Sequence, residues 1–342
     1  MTIPRPLLDA SKPTGAPHVA GVDGGATKTL VAVLELETSK VSLGHGGPAN
    51  VDAVGIEAAA SAVETALNEA LGAARIEGGE LGVTVFGLAG TVPEEMERRL
   101  EQTFSLRAAY FVNDVVTAWA SGTWLEPGVG VISGTGSHVF GVNAAGESWR
   151  TGGWGHVLDD EGSGYWLGLE GMKAALHYRD ASGPPTTLLD AAVRFYELEA
   201  IEELQELVYN KPLTKAEIAA FAREVATEAE AGDAPARSLI ERGANDLAAQ
   251  VRAPVSVLGL GADGEAFPIA LIGSVFVRVC LFRELFERAV NEFAPTASFV
   301  LPELGPIGGS LLLAVRAEGA LERIDRDAVR ATLSAESPAV EP

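Results

Sequence analysis

An acidic residue, two glycines and several hydroxyl side chains near the start of the chain are spaced as in an anion-binding turn. The stretch reads Gly21-Val22-Asp23-Gly24-Gly25-Ala26-Thr27-Lys28-Thr29. Glycines let successive backbone N–H groups converge on one point, and the hydroxyl and lysine side chains add further donors. Phosphate is the expected anion, and Asp23 could order a magnesium ion beside it. The alternative is a plain hairpin in which Asp23 accepts hydrogen bonds from turn amides.

The residues that follow this turn indicate its type. Apolar residues alternate at Leu30, Ala32 and Leu34, which predicts a strand, whereas the P-loop motif requires a helix after its lysine. We therefore expect a strand, a tight turn and a second strand.

A second stretch repeats this plan 109 residues later. It reads Gly130-Val131-Ile132-Ser133-Gly134-Thr135-Gly136-Ser137-His138-Val139-Phe140-Gly141-Val142 and shares the pairs Gly21/Gly130 and Gly25/Gly134 with the first stretch. Two such hairpins, one in each half, predict a duplicated domain that holds one polyphosphate from both sides. Thr135 and Ser137 are the expected hydroxyl donors of the second turn.

Polar side chains also stand at the ends of apolar segments between the two hairpins. Asn113 and Asp114 follow the apolar segment 109–112. Strand ends line the ligand crevice of alternating β/α sheets, so Asp114 could accept the proton of an attacking hydroxyl, or it could be a helix N-cap. Asn50 ends a Gly-rich loop, where its amide could bind sugar hydroxyls or an acetamido group, or form a simple turn. Asp52 is the expected N-cap of the next helix.

Three consecutive acids, Asp159-Asp160-Glu161, lie in a stretch rich in glycine and aromatic residues between positions 150 and 168. Like charges repel each other in a poorly solvated cleft, so this grouping predicts that the acids bind a ligand. Trp154, in the same stretch, could stack on a sugar ring or fill the core.

The second half also carries strong helix signals. Residues 172–252 are predicted to be mostly helical, with a capping box at Thr214-Lys215-Ala216-Glu217. Near the end, Gly305-Pro306-Ile307-Gly308-Gly309-Ser310 opens a helix whose small residues would let a nucleotide base approach the backbone.

Composition limits the class of protein. A chain of 342 residues predicts two domains, and a net charge of −22 repels nucleic acid and anionic membranes. The single cysteine, Cys280, forms no intrachain disulfide and is expected to pack in the core. No signal peptide or membrane span is evident, so we expect a cytoplasmic protein. Residues 1–17 and 326–342 are expected to be loosely ordered.

The chain resembles the actin-like ATPase superfamily and, within it, the BadF/BadG/BcrA/BcrD ATPase family with its N-acetylglucosamine kinases. The resemblance covers residues 19–320. It is carried by Asp23 to Thr29, by Ile132 to Ser137, and by Gly152-Gly153-Trp154-Gly155-His156 running into Asp160-Glu161-Gly162-Ser163. It implies an α/β fold with two actin-like (ribonuclease H-like) domains and a cleft between them, residues 18–123 and 124–325, the second with a helical insertion.

The resemblance also implies roles for individual residues. ATP and Mg²⁺ are the implied cofactors, an amino sugar is the implied substrate, and a homodimer is what relatives suggest. Asp114 matches the catalytic base for phosphorylation of the 6-hydroxyl, and Asp23 orders magnesium. Phosphates and adenosine are implied to contact Gly24, Gly25, Thr27, Lys28, Thr29, Gly134, Thr135, Gly136, Ser137, Gly308, Gly309 and Ser310. The sugar is implied to contact Asn50, Gly90, Asn113, Gly153, Trp154 and Asp160.

Two departures from the family pattern leave details open. Val51-Asp52 follows Asn50, where mammalian kinases carry His-Trp, so N-acetylglucosamine, N-acetylmuramic acid, N-acetylmannosamine and glucosamine all remain candidates. Asp159 replaces a usual glycine, so Asp159 or Asp160 could face the substrate.

Two other functions are possible on the same fold. An ATPase that activates a radical dehydratase or reductase would need two cysteines per subunit for a shared [4Fe–4S] cluster, and this chain has one. A non-catalytic sugar or nucleotide sensor would not need the base Asp114.

Overall fold

The computed structural model describes residues 3–25, 27–76, 80–90, 92–210 and 213–334, and in these residues ten strands form two five-stranded sheets. The strands of the first sheet are β1 (His18–Gly24), β2 (Thr29–Glu35), β3 (Val41–Gly46), β4 (Leu81–Leu88) and β5 (Leu106–Asn113). Those of the second are β6 (Gly128–Ser133), β7 (Ser137–Val142), β8 (Ser148–Gly152), β9 (Phe267–Ile272) and β10 (Ala297–Val300). The expected α/β class is confirmed.

Helices cover both sheets. Those in the first half are α1 (Pro6–Asp9), α2 (Val51–Val54), α3 (Ile56–Ala74), α4 (Glu94–Thr103) and α5 (Asp114–Thr123). A helical lobe between β8 and β9 consists of α6 (Gly164–Arg179), α7 (Leu188–Phe195), α8 (Leu204–Tyr209), α9 (Lys215–Ala220), α10 (Ala222–Glu230) and α11 (Ala234–Leu258). The remaining helices are α12 (Ser274–Arg278), α13 (Cys280–Asn291), α14 (Pro306–Ala317) and α15 (Arg326–Ser334).

The two sheets have the same topology. The order is β3-β2-β1-β4-β5 in the first, with β2 antiparallel and β4 parallel to the central β1. The second has the order β10-β9-β6-β7-β8, with β7 antiparallel and β9 parallel to the central β6. Because β1 and β6 are the first strands of the two predicted hairpins, the duplication predicted from the sequence is confirmed.

Two helices cross between the halves at positions where glycine permits close packing. Helix α14 packs on β1, where a Cβ on Gly21 would lie 2.5 Å from the backbone nitrogen of Leu311. Helix α5 packs on β6, where a Cβ on Gly130 would lie 2.8 Å from the Cα of Trp119. The glycine shared by the two hairpins therefore has a packing reason.

The crossing helices give the two halves a common core. Trp119 of α5, Phe140 of β7 and Leu311 of α14 belong to one buried apolar cluster, and the Trp119 and Phe140 rings meet edge to face. The division into 18–123 and 124–325 stays a prediction, with the qualification that α14 packs on the first sheet although it belongs to the second half of the chain.

The expected capping box is confirmed, while two other local expectations are wrong. Thr214 and Glu217 cap each other at the start of α9. Asn50 rather than Asp52 caps α2, since its Oδ1 accepts a hydrogen bond from the backbone N–H of Asp52. Cys280 is exposed at the first position of α13, because the buried stripe of that helix consists of Phe282, Phe286 and Val290.

Both described chain ends are packed, which corrects the expectation of loose tails at 1–17 and 326–342. At the start, Ile3 and Leu7 are buried. Near the end, Val329 and Leu333 of α15 are buried in the same cluster. Apolar side chains at helical spacing outweigh the polar composition of these segments. Residues 1–2 and 335–342 lie outside the described residues.

Within the described ranges, no helix is long and apolar enough to cross a membrane.

Candidate active site

Three strands of the first sheet end at one edge, and their last residues form one face of the site. Gly24 of β1 pairs with Leu88 of β4, which pairs with Asn113 of β5. The following loops are joined by backbone bonds, since Gly24 accepts from Ala89 and Gly25 accepts from Asn50. The described residues of the first phosphate loop, 24–25 and 27–29, thus lie beside the loops that carry Asn50, Gly90 and Asp114, as expected for the carboxyl ends of parallel strands.

Two carboxyl groups at this edge are electrostatically linked. Burial, with the negative charge of Asp114, raises the pKa of Asp23 to about 7, although Lys28 acts in the opposite direction. Burial also raises the pKa of Asp114 to about 6, against the lowering effects of the Val115 amide and Lys215. A carboxyl group with such a pKa can take up a proton near neutral pH.

Asn113 rather than Asp114 is the N-cap of α5, since its Oδ1 accepts from the backbone N–H of Val115. The alternative reading of Asp114 as the cap is therefore wrong, and its carboxylate is left in the first turn of the helix. Asn113, expected to bind the sugar, has a structural role through Oδ1.

Asn50 and Gly90 come together at the rim of this edge. Gly90 has φ +85°, and a Cβ there would lie 3.3 Å from Oδ1 of Asn50 and 2.7 Å from Oδ2 of Asp52. Two of the expected sugar contacts are thus adjacent, and Asp52 joins them.

The second phosphate loop, 134–136, is held by the acidic stretch. Gly134 accepts a hydrogen bond from the backbone N–H of Gly164 at 2.8 Å, and Thr135 accepts one from Tyr165 at 3.2 Å. The Ser133 hydroxyl donates to the carbonyl of Gly162. These bonds fix the loop against the start of α6.

Two of the expected hydroxyl donors are already used within the protein. Thr29 donates to the carbonyl of Gly47, and Ser137 donates to the carbonyl of Glu161. Both residues are buried. The expectation that they donate to phosphate is corrected, because these hydroxyls hold loops in place. Thr27, Lys28 and Thr135 are exposed beside the two loops.

Asp160 is also held inside the protein, and its expected contact with the sugar stays a prediction. Its side chain is 4% exposed, its Oδ1 accepts from the backbone N–H of Ser137, and its Oδ2 accepts from Nζ of Lys215 at 2.7 Å. Asp159 binds the Trp154 N–H and the Gln250 side chain. Each acid of the pair thus holds a different loop.

The loop that begins at Gly153 is supported by a buried histidine. A Cβ on Gly153, at φ +71°, would lie 2.6 Å from Nε2 of His138. Burial lowers the pKa of His138 to about 4, so its ring is neutral. Trp154 is 66% exposed, which excludes the core-filling alternative, and the Arg150 guanidinium lies 4.7 Å from its ring centroid.

A cavity of about 340 Å³ opens beside the second phosphate loop. It is bordered by the phosphate loop, the helical lobe and α12, and its lining includes Thr135, Ala219, Arg223, Ser274 and Arg278. Its apolar wall with a few polar groups suits a nucleoside.

Gly308, Gly309 and Ser310 do not line this cavity, which corrects their expected contact with adenosine. A Cβ on Gly309 would collide with the carbonyl oxygen of Thr117, and the buried Ser310 donates to the carbonyl of Val22. The small residues permit close packing of α14 on α5 and β1, and no face of them is open to a base.

Comparison with known proteins gives the family. The model of the BadF/BadG/BcrA/BcrD ATPase family matches residues 20–314. The chain belongs to this family. Among curated relatives, it is 30% identical to the N-acetylmuramic acid/N-acetylglucosamine kinase of Clostridium acetobutylicum, over 87% of this chain and 98% of that protein. It is 25% identical to the glucosamine kinase GspK of Vibrio cholerae, over 88% and 97%.

Solved structures show the same fold. A Chromobacterium violaceum protein described as a candidate N-acetylglucosamine kinase superimposes with a TM-score of 0.70 at 23% identity, covering 87% of this chain and 99% of that one. A ROK family glucokinase from Streptomyces griseus gives a TM-score of 0.52 at 18% identity, covering 88% and 99%. The expected α/β fold with two equivalent sheets is confirmed, and these structures share it.

Sequence reasoning missed three residues of the site. Ser274 follows a buried strand and one glycine, Gly273, just as Thr135 follows a buried strand and Gly134. This similarity to the second phosphate loop was an available signal. Lys215 stands at the first position of α9, where the helix dipole disfavours a cation, so its presence there was a second signal. We find no sequence signal for Arg278.

Proposed function

We propose that this protein uses ATP to phosphorylate the 6-hydroxyl group of an amino sugar, N-acetylglucosamine, with Asp114 as the general base. The observation that carries the proposal is the position of Asp114, one residue beyond the end of β5, at the sheet edge where β1 carries Asp23 and leads into the first phosphate loop. The family and the sugar kinases among its members support it.

The chemistry requires a base beside the acceptor hydroxyl. The sugar oxygen forms a bond to the γ-phosphorus, the bond from phosphorus to the β,γ-bridging oxygen breaks, and ADP leaves with that electron pair. The hydroxyl proton passes to the Asp114 carboxylate. Burial raises the pKa of this group to about 6, so it is ionised at neutral pH and still basic enough to accept the proton.

Asp23 is the residue that would hold Mg²⁺. Lys28 compensates the charge of this buried carboxylate only in part, since the pKa of Asp23 stays raised. A hard divalent cation with oxygen ligands would supply the rest. Among the described residues no three His, Cys, Asp or Glu side chains form a metal cage, which fits an ion that keeps several waters and uses one or two carboxylates. The ion, when bound, neutralises phosphate charge.

ATP has a matching place between the two loops. The cavity beside Thr135 and Ser274 takes the adenosine, and the free donors of the loops, including Thr27 and Lys28, face the phosphates. The overall charge of −22 makes these local donors necessary. A cytoplasmic location and a homodimer stay predictions.

A second substrate, N-acetylmuramic acid, is favoured by one observation. Arg150 has no carboxylate partner within the described part of the chain, and its guanidinium stacks on the exposed Trp154. A guanidinium placed in this way suits a carboxylate substituent on the sugar. The Clostridium relative phosphorylates both sugars by its name.

The test is ADP release in a coupled assay with N-acetylglucosamine, N-acetylmuramic acid, N-acetylmannosamine, glucosamine and glucose. Phosphorus NMR of the product identifies the phosphorylated oxygen. We expect turnover with the N-acetylated sugars and a 6-phosphate product. Sugar-independent ATP hydrolysis without any sugar phosphate would contradict the proposal and favour the dehydratase activator, and binding without turnover would favour the sensor.

A further inference from the structure

The helical lobe delivers one lysine to the centre of the site. Lys215, the first residue of α9, donates from Nζ to Oδ2 of Asp160 at 2.7 Å. A Cβ on Gly136 of the second phosphate loop would lie 3.1 Å from the same Nζ. The charge of Lys215 also reaches Asp114 in the other half of the molecule. Its ammonium group therefore lies beside the second phosphate loop, and its charge acts on the proposed base.

The ion pair with Asp160 fixes the position of Lys215 and leaves its ammonium group accessible to a ligand. Asp160 is almost fully buried, with 4% of its side chain exposed, while the Lys215 side chain is 35% exposed. The second oxygen of Asp160 is fixed by the Ser137 amide, so the carboxylate cannot follow the lysine outwards. An ammonium group has three donors, and Asp160 is the one partner of Lys215 in the described residues.

The local energetics also indicate a functional role. A lysine in the first turn of a helix opposes the helix dipole. A buried carboxylate with its counter-ion rarely adds stability over an apolar pair. An arrangement that opposes both preferences and lies beside an anion-binding loop points to a ligand with negative charge.

We propose that Lys215 contacts the phosphoryl group that ATP transfers to the sugar, and that Asp160 positions it for this contact. The inference rests on the proposed kinase function. Lys215 stabilises the charge that develops on the γ-phosphoryl oxygens. The helical lobe thereby contributes to the transfer step as well as to the adenosine cavity, which Ala216 and Ala219 of the same helix border.

The first experiment compares the kinetics of Lys215→Met and Lys215→Arg. We expect Lys215→Met to lower kcat by about 10²–10³, as for loss of one oxyanion donor, with the KM of the sugar unchanged. Lys215→Arg keeps the charge and should recover most of the rate. Lys173→Met is the matched control, because Lys173 forms an ion pair of 2.8 Å with Glu170 on the exposed face of α6. It should behave as wild type.

The second experiment is calorimetric binding of ADP and of a non-hydrolysable ATP analogue. We expect Lys215→Met to weaken binding of the analogue about tenfold relative to binding of ADP, because ADP lacks the γ-phosphoryl group that Lys215 contacts. Asp160→Asn keeps the acceptor for the Ser137 amide and removes the charge. We expect it also to weaken binding of the analogue more than binding of ADP, but to a smaller extent.

The two proposals fail in different ways. If Lys215→Met weakens binding of ADP and of the analogue equally, or retains wild-type kcat in a folded protein, the proposed role of Lys215 is contradicted while the kinase proposal stands. If wild type phosphorylates no sugar, the kinase proposal fails, and the calorimetric comparison still decides whether Lys215 contacts the terminal phosphoryl group.

Discussion

Asp23 at the end of β1 and Asp114 at the start of α5 are close enough for the charge of Asp114 to add to burial in raising the pKa of Asp23 to about 7. Lys28 and Lys215 are the cations whose charges act on this pair. Carboxyl groups that stability alone would separate are thus kept together, which is a common feature of sites that transfer protons or bind cations.

Replacement of Asp114 by Asn is expected to remove the base and keep the shape. An amide cannot accept the hydroxyl proton, so kcat should fall by about 10²–10⁴ with little change in the KM of either substrate. Steady-state kinetics in the coupled assay measures this effect. Asp327→Asn, in the first turn of α15 at the surface, is the control and should be as active as wild type. An Asp114→Asn enzyme with near wild-type kcat would sink the mechanism.

The same substitution is expected to stabilise the protein at neutral pH. The folded pKa of Asp114, about 6, lies above its ordinary value of 3.8, so the ionised group destabilises the fold above pH 6 and has no such effect below 3.8. Asp114→Asn should therefore raise the free energy of unfolding by about 1–3 kcal/mol at pH 7.5, because a pKa difference of one between the folded and unfolded states corresponds to about 1.4 kcal/mol.

Urea unfolding with EDTA and without nucleotide, at pH 7.5 and 5.0, measures this stability difference. The gain should shrink as the pH falls through 6. A gain that is equal at both pH values, or a loss at pH 7.5, would show that the charge of Asp114 is not the cause.

Two substitutions distinguish the proposed nucleotide cavity from the contact expected at Gly308–Ser310. Ser310→Ala removes the hydrogen bond to Val22 and should cost about 0.5–1.5 kcal/mol of stability with the KM for ATP unchanged. The leucine side chain in Ala219→Leu extends into the cavity. It should weaken ATP binding about tenfold, since overfilling a closely packed space costs about 1–3 kcal/mol.

Nucleotide titration and thermal unfolding of the two variants provide both readouts. Ala231→Leu, at the exposed end of α10, adds the same side chain outside the cavity and is the control. If Ser310→Ala weakened ATP binding and Ala219→Leu did not, the result would support the adenosine contact expected at Gly308–Ser310 and contradict the proposed cavity.

Local patterns predicted what depends on neighbours in sequence. Strand alternation and turn glycines gave both hairpins, and the position of Asp114 after a strand placed it at the correct sheet edge. The patterns failed where two physical causes favour the same residues. Gly309 permits close helix packing as well as it would permit the approach of a base, and the Ser137 hydroxyl serves a carbonyl as well as it would serve a phosphate.

Contacts between distant segments were beyond these patterns. Lys215 meets Asp160 across 55 residues of chain, and only the packing of the helical lobe on the second sheet brings them together. The same holds for Arg278 and Ala219 in the cavity, since neither residue has a local signature of nucleotide binding.

Arg150 is expected to set the preference between a neutral and an acidic amino sugar. Replacing its guanidinium by the apolar side chain in Arg150→Met should lower kcat/KM for N-acetylmuramic acid by about tenfold, because a hydrogen bond to a charged group is worth about 1.5–3 kcal/mol. The value for N-acetylglucosamine should stay within about threefold, since this sugar has no carboxylate. Arg252→Met is the control, because Arg252 also stacks on an aromatic ring, that of Phe293, at 4.2 Å. An equal loss for both sugars would mean that Arg150 only supports Trp154, and no loss for either would remove Arg150 from the sugar site.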